Sequence, residues 1–200
     1  MYYLKALTSV ARPLSEATNF LESGFNDYEV RKLQKGETIK SFDCGDEDLN
    51  DFIMNRAEGY NKAMLSVTYV FEHKMSGEII GYFSLANDRI SIDNFDSNNT
   101  FNRFRRHLFK NEKRLKSYPA VKICRLGIAN DFHGCGVGSM LLDFIKSYYK
   151  RGNNAGCRFL TVDAYLNAVS FYERNKFQYL QKDEKRTKLL YYDLNEIMSQ

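Results

Sequence analysis

DFHGCGVGSMLLDFI, residues 131–145, sets Gly134, Gly136 and Gly138 at alternate positions and then runs into an apolar helical pattern. Val137, Met140, Leu141, Phe144, Ile145 and Tyr148 recur at i, i+3, i+4, i+7, i+8 and i+11, one face of an amphipathic helix. Upstream, AVKICRLGIA (120–129) predicts a strand. A strand, a glycine turn and a helix in this order aim successive backbone N–H groups, and the positive end of the helix dipole, at one spot. A pyrophosphate fits there without any lysine. A nucleoside-triphosphate loop is excluded, because Gly138 is followed by Ser139 and Met140 where Lys and then Ser or Thr are required. A dinucleotide fingerprint fits poorly: it needs a glycine at Ser139, and five residues from Asn130 separate strand and glycines. Asp163 does sit about where a ribose-binding acid would. A glycine turn holding no ligand is the plain alternative.

Outward from this stretch the pattern alternates. YEVRKL (28–33) reads as a strand, and SFDCGDEDLNDFIMNRAEGY (41–60) as an amphipathic helix on Leu49, Phe52, Ile53, Ala57 and Tyr60, with Asp46, Glu47 and Asp48 at its start. VTYVFE and IIGYFSLA form a hairpin turning at Gly77. Phe101, Phe104, Leu108 and Leu115 predict one helix through the next segment. CRFLTVDA, FQYL and LLYYDL read as strands, and NAVSFYERN as a helix between the first two. Residues 1–26 are read as a leader element and 27–200 as one α/β domain with a central mixed, mostly antiparallel sheet flanked by helices.

With 44% hydrophobic residues, fourteen tyrosines, fifteen phenylalanines and two prolines, 200 residues can bury a sizeable core. No signal-like start or membrane-length apolar run is present, so the chain reads as soluble and cytoplasmic, with no membrane partner. Cys44, Cys124, Cys135 and Cys157 form no CxxC pair, and His73, His107 and His133 have no metal spacing, so no metal is expected. The net charge of +4 is uneven. Residues 101–122 hold Arg103, Arg105, Arg106, Lys110, Lys113, Arg114, Lys116 and Lys122 against Glu112, a local +7 that leaves −3 elsewhere. That is the footprint of a polyanion contact, or else a solvated helix face.

RLGIANDFHGCGVGSMLLDFI (125–145) followed by FLTVDAYLNAVSFYERNKFQYL (159–180) resembles the GNAT acyltransferases, whose pyrophosphate loop reads Gln/Arg-x-x-Gly-x-Gly/Ala. The resemblance covers roughly residues 28–194. His133 stands at the Gln/Arg position, Gly136 and Gly138 at the glycines, and Lys176-Phe177 where Gly-Phe is usual, which suggests an altered turn there. FDCGDEDLNDFI (42–53) further resembles the opening of GNAT-type toxins of toxin–antitoxin pairs, which acetylate the amino group of amino acids carried on transfer RNA, and of stand-alone relatives of those toxins. Leu49, Phe52 and Ile53 in it are equally explained as a helix core face.

The resemblance implies acetyl-CoA as cosubstrate, bound at a splayed strand pair by Leu126 and Ile128, by the loop His133, Gly134, Cys135, Gly136, Val137, Gly138 and Ser139, and by Asn167. Asn167 has helix capping as its alternative. Tyr172 matches the tyrosine that protonates the departing thiolate, with a core role as its alternative. Asp163, Asp88 and Glu47 are candidate bases, and none is assigned.

The resemblance implies a primary amine as acceptor. If it is the amino group of charged tRNA, Arg103, Arg105 and Arg106 would meet phosphates and Phe101, Phe104 or Phe109 would stack on bases. A polyamine would call instead for the acids Asp46, Glu47, Asp48 and Asp51, and peptides and other small amines stay open. A non-catalytic acetyl-CoA-binding module is the alternative from another class. The partners implied are an antitoxin and a second copy in a homodimer.

Overall fold

The computed structural model describes residues 24–109, 115–153, 155–183 and 186–195. The leader element expected over 1–26 lies outside them except for residues 24–26, which belong to a single 3-10 turn, Gly24–Asp27, leading into the first strand. Seven strands, β1 (Tyr28–Lys32), β2 (Val67–His73), β3 (Ile79–Ser91), β4 (Ser117–Ile128), β5 (Phe159–Tyr165), β6 (Gln178–Asp183) and β7 (Thr187–Asp193), form one sheet in the order β1-β2-β3-β4-β5-β7-β6. Among the described residues only the β4–β5 pair is parallel. The helices are α1 (Glu47–Asp51), α2 (Ala57–Lys62), α3 (Asn98–Leu108), α4 (Val137–Arg151) and α5 (Val169–Arg174).

Period-two alternation divides the strands' side chains between two faces. Tyr69, Phe71, Phe83, Leu85, Val121, Ile123, Leu160, Val162 and Leu190 form one face, and α4 buries Val137, Leu141, Leu142 and Ile145 against it. The opposite face carries two separate cores. Val70 and Tyr82 receive Phe52, Ile53 and Ala57, whereas Ile90, Tyr118, Ala120, Phe159 and Tyr191 receive Phe101 of α3. Lys146 is buried in α4 and donates to the Asn175 carbonyl (3.0 Å), which fixes α5 against α4.

Three expectations need correction. The helix over 46–60 is interrupted at Phe52–Arg56 by a π-helical turn, in which the Ala57 N–H bonds the Phe52 carbonyl. Its extra residue per turn lets Phe52, Ile53 and Ala57 all stay buried. The basic helix ends at Leu108, because Phe109 leaves it to stack on Tyr118 with centroids 4.3 Å apart; Leu115 is exposed and lies outside it. Finally, Lys176 has φ 69, the left-handed conformation a glycine adopts freely, so the turn keeps its shape and the lysine carries the strain.

Candidate active site

β4 and β5 are in register only at Ala120–Lys122 and Phe159–Thr161, although β4 runs on to Ile128 and β5 to Tyr165. Beyond that point, among the described residues, no strand pairs with β4 on its β5 side, while β3 stays paired on the other. The divergence coincides with a bulge: Ser84 opposes Arg125 while Leu85 opposes Ile123, leaving Cys124 as the extra residue. The Ala129 N–H donates to the Ile80 carbonyl at 2.8 Å. Alternation of an antiparallel ladder then turns the backbone groups of Leu126 and Ile128 away from β3, into the gap.

The chain leaves β4 through a 3-10 turn, Asn130–Phe132, pinned by the buried Phe132 ring. Gly134 and Gly136 have φ of 79° and 81°, conformations that side chains with a Cβ resist. The first α4 hydrogen bond runs from Met140 N–H to the Gly136 carbonyl (3.0 Å), so the N–H groups of Val137, Gly138 and Ser139 point out of the helix end without an intrahelical partner. A Cβ at Gly134 or Gly136 would meet nothing within 4 Å, whereas one at Gly138 would lie 3.1 Å from the Phe171 ring. Two glycines thus shape an open cradle of donors and the third admits α5. This donor set and its open floor fit a pyrophosphate. Cys135 is half-buried beside them, and the His133 ring Nε2 lies 2.7 Å from the outward-turned Ile128 carbonyl.

Helix α5 packs on this loop through Phe171. Tyr172, next to it, is buried with its ring edge-on to Phe171 and Phe177, and burial raises its phenol above the ordinary value. Asn167 is exposed just ahead, and the residue at the helix cap is Ala168, with no side-chain bond, so Asn167 does not perform the capping alternative.

On the opposite face, between the two cores, the sheet is polar. Thr68, Ser84 and Ser66 form a buried hydroxyl chain. Asp88 accepts from Thr161, and Lys122 pairs with Asp163 across the point where β4 and β5 part. Burial opposes the Lys122 charge, but Asp163 more than offsets it and raises the ammonium pKa overall. Lys122 therefore belongs to this inner strip and leaves the outer basic patch. Arg125, at the bulge, lies over the Phe52 ring (5.3 Å) and 3.6 Å from Asp48.

Three of the four acids at the start of and within α1 are likewise engaged. Asp46 caps the helix by accepting from Leu49 N–H, Asp48 and Asp51 pair with Arg56, and Glu47 is exposed. On α3, Arg103 and Arg106 are exposed, while Arg105 is half-buried against Phe101 and donates to the Leu115 carbonyl (3.2 Å). The expected stacking aromatics are not available: Phe101 is buried, Phe104 packs on Phe159 and Tyr191, and Phe109 lies between Tyr118 and Arg158. An amphipathic helix turns its aromatic stripe to the sheet. Lys110, Lys113 and Arg114 lie outside the described residues.

The structure thus brings Leu126, Ile128, His133–Ser139 and the helix carrying Tyr172 around one gap and sets Arg103–Arg106 apart on α3. Sequence reasoning put Lys122 in the basic patch and missed Arg125 and the Asp43–Asn130 pair, whose side chains bond at 2.9 Å across 87 positions. The glycine loop alone gave a local signal. Among the described residues no helix is long and apolar enough to cross a membrane.

Residues 65–179 match the model of the acetyltransferase (GNAT) domain. No curated protein matches the chain in sequence. Among solved structures, the fold resembles a tyrosine-to-phenylalanine variant of KacT (21% identity, TM-score 0.68, covering 84% of this chain and 95% of that one). It also resembles AtaT complexed with acetyl-methionyl-tRNAfMet (20%, 0.68, 84% and 95%) and AtaTR bound with acetyl-CoA (20%, 0.67, 84% and 94%). A family match over more than half the chain, on a sheet that parts beside a helix-capping glycine cradle, makes this chain a member of the GNAT family, an acetyl-CoA-dependent N-acetyltransferase.

Proposed function

We propose that the acceptor is the amino group of an aminoacyl-tRNA, with the outward arginines of α3 meeting its phosphates. The observation that carries this reading is the exposure of Arg103 and Arg106 on a helix whose apolar stripe is fully used by the sheet. The likeness to AtaT, solved with an acetylated methionyl-tRNA, supports it. AtaT is also known bound to the C-terminus of the antitoxin AtaR, which supports an antitoxin partner for this chain; a homodimer belongs to the same reading.

Acetyl-CoA, when bound, supplies the activated thioester. The N–H groups of Val137, Gly138 and Ser139 would hold its pyrophosphate, and the loop residues His133, Gly134, Cys135 and Gly136 would set their direction. Leu126 and Ile128 would offer backbone groups to the arm and thioester carbonyl, donors worth about 3 kcal/mol each where charge develops. Asn167 would stand at the pantetheine. Forming the amide requires one proton to leave the amine and one to reach the sulfur. Tyr172 would hold the second; burial makes its phenol a weaker acid, but the same dry surroundings disfavour the thiolate it must neutralise. The Lys122–Asp163 pair at the fork of the strands would face the incoming amine.

A polyamine acceptor is less well supported, because Asp46, Asp48 and Asp51 are already satisfied by a helix end and Arg56. The test is transfer of labelled acetyl to bulk charged tRNA, with spermidine and a mixed peptide pool in parallel and Tyr172→Phe as control. Label on tRNA that falls with the variant is the expected result. Label confined to polyamine or peptide would keep the acetyltransferase and sink the RNA acceptor.

A further inference from the structure

One carboxylate, Asp43, joins two parts of the site that are remote in sequence. Its backbone carbonyl accepts the Asn130 N–H at 3.0 Å, and its Oδ2 accepts from Asn130 Nδ2 at 2.9 Å. Its Oδ1 accepts from the Gly45 N–H and from Asn50 Nδ2, each at 2.9 Å. Asn50 Oδ1 in turn receives the Cys44 N–H (2.9 Å). Gly45 has φ 79, and a Cβ there would stand 3.0 Å from Asn130 Oδ1, so the close approach of the two segments depends on a glycine. The helix this turn opens is held from its other side by Tyr82, whose hydroxyl donates to the Leu49 carbonyl (2.8 Å).

Asn130 begins the turn that leads into the glycine cradle. Its carbonyl receives the His133 N–H (3.1 Å), and the Phe132 carbonyl receives the Cys135 N–H (3.3 Å). Between Asn130 and Gly136 these local bonds and the Phe132 ring fix the loop's internal shape, while the clasp to Asp43 fixes where that shape sits. We infer that Asp43 is a positioning residue that acts through Asn130, locking the acetyl-CoA loop to the start of α1. Cofactor binding and the placement of α1 are then coupled, because a shift of either segment breaks the same two bonds. The role falls to this pair for a chemical reason: a carboxylate accepts from both sides at once, whereas a neutral amide would present a donor to a donor on one of them.

The inference rests on the loop being the acetyl-CoA site, and Gly136→Val serves as a control for that reading. Acetyl-CoA affinity is measured by calorimetry on the full chain for Asp43→Ala, Asn130→Ala and the double variant. Thermal melts accompany each. Asn130→Ala spares the turn within residues 43–50, so it isolates the clasp even if Asp43→Ala folds poorly. Each single change is expected to weaken acetyl-CoA by about tenfold, as for loss of a charge-assisted hydrogen bond. The double variant should be no weaker than the worse single. In turnover the KM for acetyl-CoA should rise while kcat at saturation moves little, a split that general destabilisation does not produce. Wild-type affinity in Asn130→Ala, alongside lost binding in Gly136→Val, would overturn the clasp and keep the loop. Unchanged affinity in Gly136→Val would overturn the loop reading itself.

Discussion

At the start of α4, three backbone N–H groups converge because Gly134 and Gly136 adopt left-handed conformations and Met140 is the first residue to close a helical bond. On α3, positive potential is carried instead by long side chains: Arg103 and Arg106 are exposed, Arg106 also donating to the Asn102 carbonyl, and Arg105 is partly spent on a carbonyl and a ring. Both suit phosphate, by opposite means. The loop's donors cannot move without the chain moving, so it can demand one ligand geometry. The helix's donors each lose rotamer freedom on contact, so it can follow an irregular polyanion but cannot define one.

The difference is sharpest if each side is damaged separately. Replacing Gly136 with valine puts a β-branched side chain at φ 81 and fills the open cradle. A left-handed L-residue costs about 1–2 kcal/mol, which the fold should survive, while acetyl-CoA binding measured by calorimetry should disappear. Tyr172→Phe comes next: kcat should fall about 10² to 10⁴-fold with acetyl-CoA affinity retained. The melting temperature should hold, because the ring packed on Phe171 and Phe177 is kept. An unchanged kcat would make Tyr172 a core residue.

On the side-chain surface the effects should be graded. Neutralising Arg103 and Arg106 together should lower tRNA binding and reduce the slope of log K against log salt by about 2, one per phosphate contact. Adding Arg105 should steepen the loss only in part and also lower stability, because its stem covers Phe101. An unaltered slope in the Arg103/Arg106 variant would return α3 to a solvated face. The smallest effect is Arg103→Gln alone, expected to shift stability by less than about 0.5 kcal/mol in a denaturant titration.

The contrast also explains what could be read in advance. Backbone recognition needs glycine at fixed intervals before a helix, so Gly134, Gly136 and Gly138 were legible, though their division of labour was not: Gly138 is glycine because of Phe171, which lies thirty-three positions on. The charge excess of 101–122 was legible as well, but not its sorting. Lys122 turns inward to Asp163, and Phe109 leaves the helix for Tyr118. In the 42–53 segment, spacing identified the buried face of Phe52 and Ile53 but not the π turn that keeps Ala57 on it.

By itself the sequence determined the elements, the glycine cradle and the side of the chain on which charge accumulates, because each rests on periodicity or on residue types interacting within a few positions. The tertiary structure alone decided where β4 and β5 part, that Cys124 bulges at the parting, and that Asp43 meets Asn130. Those features depend on register between strands and on contacts between distant segments. Such contacts are fixed by the packing of whole faces, which no local pattern encodes.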